Sequence, residues 1–245
     1  MKILVCITHV PDTTSKISFV DKNSKFDKNG VQFIIGPYDD YALARAVELK
    51  EEQGGSITAL NIGLVETEPT IRKALAIGAD KAIRVNAEPK DSFFVAYQIS
   101  QVVKGEDYDL ILMGRESIDF NGGQVHGMVG ELLNIPSVSP VMRLDVMGRI
   151  AKLSREIEGG KEFLEVELPL VAGCQEPIAE WKIPNMRGIM SARSKPLNII
   201  EPFAEEQRTF VESFEMPAAK SGVKMIDSHN LSELVDLLKN EAKVL

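Results

Sequence analysis

The chain has 245 residues, of which 44% are hydrophobic, and its formal net charge is −8. That length and hydrophobic content suffice for one large core with residues left over for an appendage. An acidic chain without a basic block is a poor candidate for nucleic-acid binding. No apolar run approaches the roughly 20 residues that span a bilayer, and the start lacks the apolar region of a signal peptide. We therefore expect a cytoplasmic protein that neither binds nucleic acid nor spans a membrane.

The first half of the chain alternates buried strands with amphipathic helices. Apolar runs predict strands over residues 2–8, 56–62, 81–85 and 109–114. Helical spacing predicts a helix from Gly36-Pro37 to Gly54-Gly55, a second over 66–77, and a third over 92–103 with Asp91 as its N-cap. Residues 16–35 leave this pattern, and Asn29-Gly30 predicts a turn there between two extended segments. The alternation predicts an α/β fold with a doubly wound parallel sheet.

The second half has a different pattern. Residues 137–169 alternate with period two, and Gly159-Gly160 predicts the tip of an antiparallel hairpin. A buried strand is predicted over 170–174 and an amphipathic helix over 231–243. We predict an α/β domain over residues 1–194 and an extended C-terminal arm over 195–245. The arm cannot easily build its own core, but it keeps apolar residues, so we expect it to wrap around a partner chain rather than form a flexible tail. Those residues include Phe203, Phe210, Phe214 and Met225.

The stretch DLILMGRESIDFNGGQVHGMVGELL, residues 109–133, gives the clearest indication of a binding site. It predicts a buried strand that ends at Gly114, a polar loop with glycines, and a helix that begins near Val125. The first free N–H groups of such a helix favour an anion in the crevice above the strand ends. A simple turn with glycines for tightness is the alternative, and the pattern alone does not separate the two.

Several catalytic motifs are absent from the sequence. No GxGxxG follows the first strand, and no P-loop, GxSxG elbow or HExxH helix occurs. Asp39-Asp40 fits the start of a helix better than an acid/base pair. Cys6 and Cys174 lie in apolar surroundings without metal-ligand spacing, so we expect buried free thiols. These features favour a binding or carrier protein over a self-sufficient enzyme.

Six segments, in order and at plausible spacing, resemble the β subunit of electron transfer flavoprotein over essentially the whole chain. They are KILVCITHVPDT, GPYDDYALARAVELKE, IRKALAIGADKAIRV, GRESIDFNGGQVHGMV, REIEGGKEFLEVELP and RGIMSARSKPL. The resemblance implies an α/β fold of the adenine nucleotide alpha hydrolase-like kind, paired with an α subunit. It implies one FAD, held mostly by the α subunit, and an AMP in the β subunit. It also implies a carrier that takes electrons from acyl-CoA dehydrogenases and other dehydrogenases and passes them to a quinone oxidoreductase of the respiratory chain.

The same resemblance implies an AMP site built from the ends of several strands. Its residues would be Cys6, Gly36, Pro37, Tyr38, Asp39, Ile62, Gly114, Arg115, Glu116, Ser117, Ile118, Asp119, Asn121, Gly122, Gly123, Gln124 and Val125. We expect Gly114 to let the backbone approach the ligand, and the amides of residues 121–125 to take the phosphate. Asp119 would bond a ribose hydroxyl or fix the loop as an Asx turn. Thr13 would lie near the flavin ring.

Two residues are implied to contact partners. Residues 184–190 match the family's recognition loop, where Met186 replaces the Leu that anchors in a dehydrogenase pocket; a core position is the alternative. The upstream EPIAEWK departs from the usual EPRY pattern, which leaves the dehydrogenase open. Glu156 matches the Glu that pairs with an Arg on the mobile flavin domain of the α subunit. An ordinary solvated strand Glu is the alternative reading.

Three other functions remain as alternatives. The first is a bifurcating form, in which a second FAD replaces AMP in the same crevice, and the FNGGQV loop does not separate the two. The second is an ATP-hydrolysing or adenylating enzyme, which the missing phosphate loop disfavours. The third is a stand-alone nucleotide sensor of the universal-stress kind, which the C-terminal arm and the hairpins disfavour.

Overall fold

A computed structural model describes residues 1–219 and 222–245. Its strands are β1 (Lys2–Cys6), β2 (His9–Pro11), β3 (Phe19–Val20), β4 (Lys25–Phe26), β5 (Phe33–Ile35), β6 (Ser56–Ile62), β7 (Lys81–Val85), β8 (Leu110–Gly114), β9 (Ser137–Met147), β10 (Ile150–Ile157), β11 (Gly160–Glu167), β12 (Leu170–Cys174) and β13 (Leu197–Ile200). Its helices are α1 (Pro37–Gln53), α2 (Glu68–Ile77), α3 (Ser92–Lys104), α4 (Val125–Leu133), α5 (Met186–Ala192) and α6 (Leu231–Asp236). A 3₁₀ turn, Val65–Thr67, precedes α2, and a π-helical turn, Leu237–Glu241, follows α6.

One nine-stranded sheet forms the centre of the fold, in the order β11-β10-β9-β12-β8-β1-β6-β7-β13. All neighbours in the part β9-β12-β8-β1-β6-β7-β13 are parallel. At the other end of the sheet, β10 is antiparallel to both β9 and β11. The predicted hairpin therefore extends the parallel sheet at one edge, and β10 and β11 meet at its Glu158–Gly159 tip, between Ile157 and Gly160. No helix in residues 1–219 or 222–245 is long and apolar enough to cross a bilayer.

Hydrophobic residues cover both faces of the sheet. Ile3 and Val5 of β1 belong to the core that α1 and α2 close, whereas Leu4 belongs to the core that α3 and α4 close. Successive side chains of a strand point to opposite faces, so one continuous apolar strand supplies both cores. The doubly wound architecture predicted from the alternation of strands and helices is confirmed.

The excursion between β1 and α1 folds differently from the prediction. Strand β3 turns back onto β4 through Asp21, Lys22 and Asn23, which all have left-handed backbone conformations. Strand β5, which follows Asn29-Gly30, pairs with β2. The extended segments before and after Asn29-Gly30 therefore do not pair with each other. Gly30 still occupies a turn with φ 71°. The turn predicted at Asn29-Gly30 is therefore present, and the N–H of Val31 donates to the carbonyl of Lys28 across it at 3.3 Å, but the segments on its two sides pair with other strands.

The C-terminal part has structure that the sequence patterns did not predict. Helix α5 was not anticipated, and β13 joins the central sheet beside β7 at the start of the predicted arm. The arm then runs along the same chain as far as Phe214, whose ring stacks on Phe19 at 4.6 Å. Helix α6 and its π-helical turn have no buried residue, and Phe210 and Met225 are exposed. The domain boundary and the wrapping role of the arm stay predictions.

Candidate functional site

The segments of the predicted AMP site meet at one edge of the sheet. Strand β1 lies between β6 and β8 and pairs in parallel with both, so Cys6, Ile62 and Gly114 end neighbouring strands at the same edge. Helix α1 begins there, with Gly36 as its N-cap and Pro37 in its first turn. Ligands of doubly wound sheets bind at this carboxyl edge. The fold therefore brings together residues that are distant in the sequence.

Asp39 joins the ends of β1 and β8. Its side chain is 3% exposed. It accepts hydrogen bonds from the backbone N–H of Thr8 at 2.8 Å, the Thr8 hydroxyl at 2.6 Å and the N–H of Gly114 at 2.8 Å. Burial raises the pKa of this carboxyl group to about 6, and the hydrogen bonds from Thr8 and Gly114 oppose that rise. The carboxylate of Asp39 is thus engaged in holding the edge together.

The same contacts explain two glycines. A Cβ at Gly114 would lie 2.7 Å from the Cβ of Tyr38 and 2.7 Å from Oδ1 of Asp39. A Cβ at Gly36 would lie 2.4 Å from the hydroxyl oxygen of Thr8. Sequence reasoning assigned Gly114 to a close approach of the ligand. The structure shows that the first turn of α1 already occupies that space.

The loop after β8 leads into the start of α4. Gly123 has φ 59°, and nothing lies closer than 3.8 Å to the place of its missing Cβ. Helix α4 begins at Val125 without a side-chain cap. No hydrogen bond joins the amides of Val125, His126 and Gly127 to an acceptor within residues 1–219 or 222–245. The start of α4 therefore presents free N–H groups at the sheet edge, as the sequence predicted.

Other loop residues differ in their surroundings. Ser117 and Ile118 are half-buried, and Asn121 has φ 49° with its N–H bonded to the carbonyl of Ser117 at 2.8 Å. The amide of Asn121 is therefore not available to a phosphate, in contrast to the prediction for residues 121–125. Asp119 is exposed, and its carboxylate makes no hydrogen bond with the described part of the chain. The predicted Asx turn is therefore not formed, and this carboxylate is free to meet a ligand. Gln124 donates to the Ser92 hydroxyl at 3.1 Å, which ties the loop to α3.

Arg115 is the centre of a polar network under the loop. Its Nε and Nη2 donate to Oε1 of Glu116 at 3.1 and 2.7 Å, and its Nη1 donates to Oε1 of Gln175 at 2.9 Å. The guanidinium also lies 4.9 Å from the ring centre of Tyr38. Because a planar guanidinium offers several donors at once, it can hold all these partners in one orientation. Sequence reasoning missed Gln175, which carries no motif.

The cysteines are buried free thiols, as the sequence predicted. Burial raises the pKa of the Cys6 thiol well above its usual range, and it raises the pKa of Cys174 to about 12. Both thiols therefore stay protonated near neutral pH. No cluster of three or more potential metal ligands occurs within the described ranges. Burial also lowers the pKa of His126, so its imidazole is neutral at pH 7.

The predicted partner contacts lie on the surface. Met186 begins α5 and is 73% exposed, which removes the core alternative. Ile183 and Met190, which are near it in the sequence, are also largely exposed. Glu156 is exposed on β10, where it accepts a hydrogen bond from Nε2 of Gln175 at 3.0 Å. Thr13 is exposed in the turn after β2.

The edge fits a ligand that carries a phosphate and hydroxyl groups better than it fits an acid/base catalyst. Free helix amides can take a phosphate, and the exposed carboxylate of Asp119 can accept hydrogen bonds from ribose hydroxyl groups. The ring of Tyr38 and the guanidinium of Arg115 border the same loop. The buried carboxylate of Asp39 at this edge already accepts hydrogen bonds from Thr8 and Gly114. The arrangement can bind and orient a ligand.

Comparison with known proteins shows the family of the chain. The model of the electron transfer flavoprotein domain matches residues 24–204. The chain is 36% identical to the electron transfer flavoprotein subunit beta of Bacillus subtilis (strain 168), with both chains covered completely. It is 34% identical to the protein of that name from Syntrophomonas wolfei, with 100% of this chain and 98% of the relative covered. It is 29% identical to the acryloyl-CoA reductase electron transfer subunit gamma of Anaerotignum propionicum, with 97% and 98% covered. The chain belongs to the electron transfer flavoprotein family and is related along its whole length to the family's beta subunits.

Proposed function

We propose that this chain pairs with an α subunit to form an electron carrier that holds one FAD, mostly on the α subunit, and one AMP at the sheet edge described above. The carrier takes electrons from acyl-CoA and other dehydrogenases and passes them to a quinone oxidoreductase, in the cytoplasm and at the membrane surface. The redox chemistry is that of the flavin. The beta chain contributes a binding edge and a docking surface.

The observation that carries the nucleotide assignment is the uncapped start of α4 above the carboxyl edge. Gly122 and Gly123 leave that start open, and Gly123 takes a left-handed conformation that brings the chain around the predicted phosphate position. Residues 114–125 would hold the phosphate and ribose, while Cys6, Ile62 and the residues 36–39 would line the floor. FAD in the α subunit would accept and release the electrons.

Exposed residues in two parts of the chain support the proposal that it binds partner proteins. The exposed side chains of Met186 and Met190 give flexible, polarizable anchors of the kind that adapt to varied pockets, and Ile183 adds a third exposed apolar residue nearby in the sequence. The Anaerotignum propionicum relative is named as an electron transfer subunit of acryloyl-CoA reductase, which supports redox partners that act on acyl-CoA esters. The exposed helix α6 and the exposed residues of the arm support a companion chain.

Co-expression with an α subunit, followed by analysis of bound nucleotide and flavin, tests the proposal. We expect a heterodimer that retains one flavin and one AMP. Two flavins and no AMP would instead identify the bifurcating form, which uses the same crevice. A monodisperse monomer without nucleotide, or a chain that turns over ATP by itself, would refute the proposal.

Gly123→Glu tests the nucleotide site directly. The new carboxylate would lie at the start of α4, where it would repel the phosphate and strain a left-handed residue. We expect the heterodimer to form and to keep its flavin but to retain no AMP. Gly148→Glu is a matched control, because Gly148 has a similar φ of 62° in the β9–β10 turn, far along the sheet. Equal AMP content in the two variants would contradict the assignment.

A further inference from the structure

Gln175 lies between two residues for which sequence reasoning implied separate roles. It follows β12, is 7% exposed, and is anchored by its own N–H to the carbonyl of Val141 at 3.0 Å. On one side its Nε2 donates to Oε2 of Glu156 at 3.0 Å, and on the other its Oε1 accepts from Arg115 at 2.9 Å. One buried amide thus connects the exposed strand β10 with the loop after β8.

The chemistry of its neighbours fixes the orientation of this amide. Its NH₂ group faces a carboxylate, which only accepts hydrogen bonds, and its oxygen faces a guanidinium, which only donates them. A rotation by 180° would place like groups together at both ends. The amide therefore has one stable orientation, and it depends on both charged partners being in place.

The network continues from Arg115 to the predicted phosphate position. Arg115 makes two hydrogen bonds to Glu116, whose other oxygen, Oε2, lies 3.8 Å from the position that a Cβ of Gly123 would occupy. A carboxylate beside a phosphate site weakens anion binding unless a cation offsets its charge. Arg115 supplies that cation; its Nη1 donates to Gln175, and its guanidinium lies over the ring of Tyr38.

We propose that Gln175 is a positioning residue that couples the partner-facing carboxylate of Glu156 to nucleotide binding through Arg115 and Glu116. The inference rests on the proposed function, since it assumes that AMP binds at the loop and that Glu156 meets a cation of the α subunit, as the resemblance implies. An α-subunit cation that draws Glu156 away from Gln175 loosens Arg115 and lowers the affinity for the phosphate. By linkage, a bound nucleotide holds Glu156 in place and so affects the flavin domain by the same factor.

A double-mutant cycle on the heterodimer tests the coupling. AMP is removed and then titrated by calorimetry into the wild type, Glu156→Ala, Gln175→Met and the double variant. We expect each single substitution to weaken AMP binding by about threefold, and the double variant to bind no more weakly than Gln175→Met, because Glu156 acts through Gln175. If the two effects multiply in the double variant, or if Glu156→Ala leaves AMP affinity unchanged, the coupling is refuted.

Two further variants separate positioning from a loss of structure. Glu156→Gln removes the charge of Glu156 but keeps an oxygen that can accept from Nε2 of Gln175. Its AMP affinity should be closer to wild type than that of Glu156→Ala, and the difference between these two variants should vanish in the Gln175→Met background. Gln98→Met makes the same exchange at another buried Gln with two amide hydrogen bonds, both to the backbone of Phe203. Glu156→Ala should keep its full effect in that background.

The outcomes also distinguish this inference from the proposed function. A wild-type heterodimer that takes up no AMP refutes the nucleotide site itself. A wild-type heterodimer that binds AMP, with independent effects of Glu156 and Gln175, refutes only the coupling. A Glu156→Gln variant that binds AMP as weakly as Glu156→Ala also refutes it, since that result assigns the loss to the charge of Glu156 and not to its hydrogen bond with Gln175.

Discussion

Replacement of Asp39 by Asn tests how the sheet edge is held together. The Asp39 carboxylate accepts from Thr8 and Gly114 on its two oxygens. Asn keeps one acceptor oxygen, but its NH₂ group then faces an N–H or hydroxyl donor. A buried donor left without an acceptor costs roughly 1–3 kcal/mol. We therefore expect Asp39→Asn to lower the free energy of unfolding by about 2 kcal/mol at pH 7.5.

The size of this effect should depend on pH. Burial raises the pKa of Asp39 in the folded chain to about 6, against about 3.9 for an unfolded Asp. The folded state therefore takes up the proton first as the pH falls. Protonation of Asp39 therefore stabilises the folded state relative to the unfolded state. This stabilisation is fully present below about pH 4 and is lost as the pH rises through 6. At about 1.4 kcal/mol per pKa unit, the wild type gains about 2 kcal/mol over the Asn variant between pH 7.5 and 4.5.

Urea unfolding of both chains at pH 4.5, 6 and 7.5 measures this difference. All other groups titrate alike in the two chains, so the difference isolates Asp39. The expected destabilisation by Asp39→Asn grows from about 2 kcal/mol at pH 7.5 to about 4 kcal/mol at pH 4.5. Asp107→Asn makes the same change at an exposed site, and its effect should stay within about 0.5 kcal/mol. A destabilisation by Asp39→Asn that does not vary with pH would refute the reasoning.

Three further predictions concern packing, docking and the arm. Gly114→Ala places a Cβ 2.7 Å from the first turn of α1 and should destabilise the chain by about 2 kcal/mol; Gly127→Ala, where the Cβ meets nothing within 4 Å, should not lower the melting temperature. Met186→Ala should slow electron transfer from the dehydrogenase at unchanged flavin content, whereas Met147→Ala, at a site 67% exposed, should not; equal rates would remove the docking role. Gln98→Met removes two hydrogen bonds to the arm and should speed protease cleavage within residues 201–219; an unchanged cleavage rate would show that the arm is held elsewhere.

Much of the fold follows from local patterns. The continuous apolar run of β1 predicts a strand buried on both faces, and the structure places its alternate residues in two cores. Helix α1 begins at Pro37, as the proline predicted. Asp91 is the N-cap of α3, as predicted, and it accepts a hydrogen bond from the N–H of Phe94 at 2.7 Å. Helix α5 was missed, because its seven residues between prolines and basic residues are too short to show a period.

The candidate site could be predicted only in part. The loop after β8 and the start of α4 are contiguous in sequence, so the order of strand, glycines and helix pointed to them. The roles of Gly114 and Asp39 were not predictable, because they arise from a hydrogen bond between residues 75 positions apart. Gln175 showed no signal at all, since its partners are 60 and 19 positions away.

The sequence by itself determined the alternation of strands and helices, the two apolar faces of the sheet, the buried thiols and the open helix start, because each depends on residues within a few turns of one another. Only the tertiary structure decided the order of the strands, the turn at residues 21–23, the place of β13, and the network from Glu156 to Glu116. Those features depend on which strand ends become neighbours. Periodicity encodes which face of an element is buried, but it does not encode which distant element covers that face.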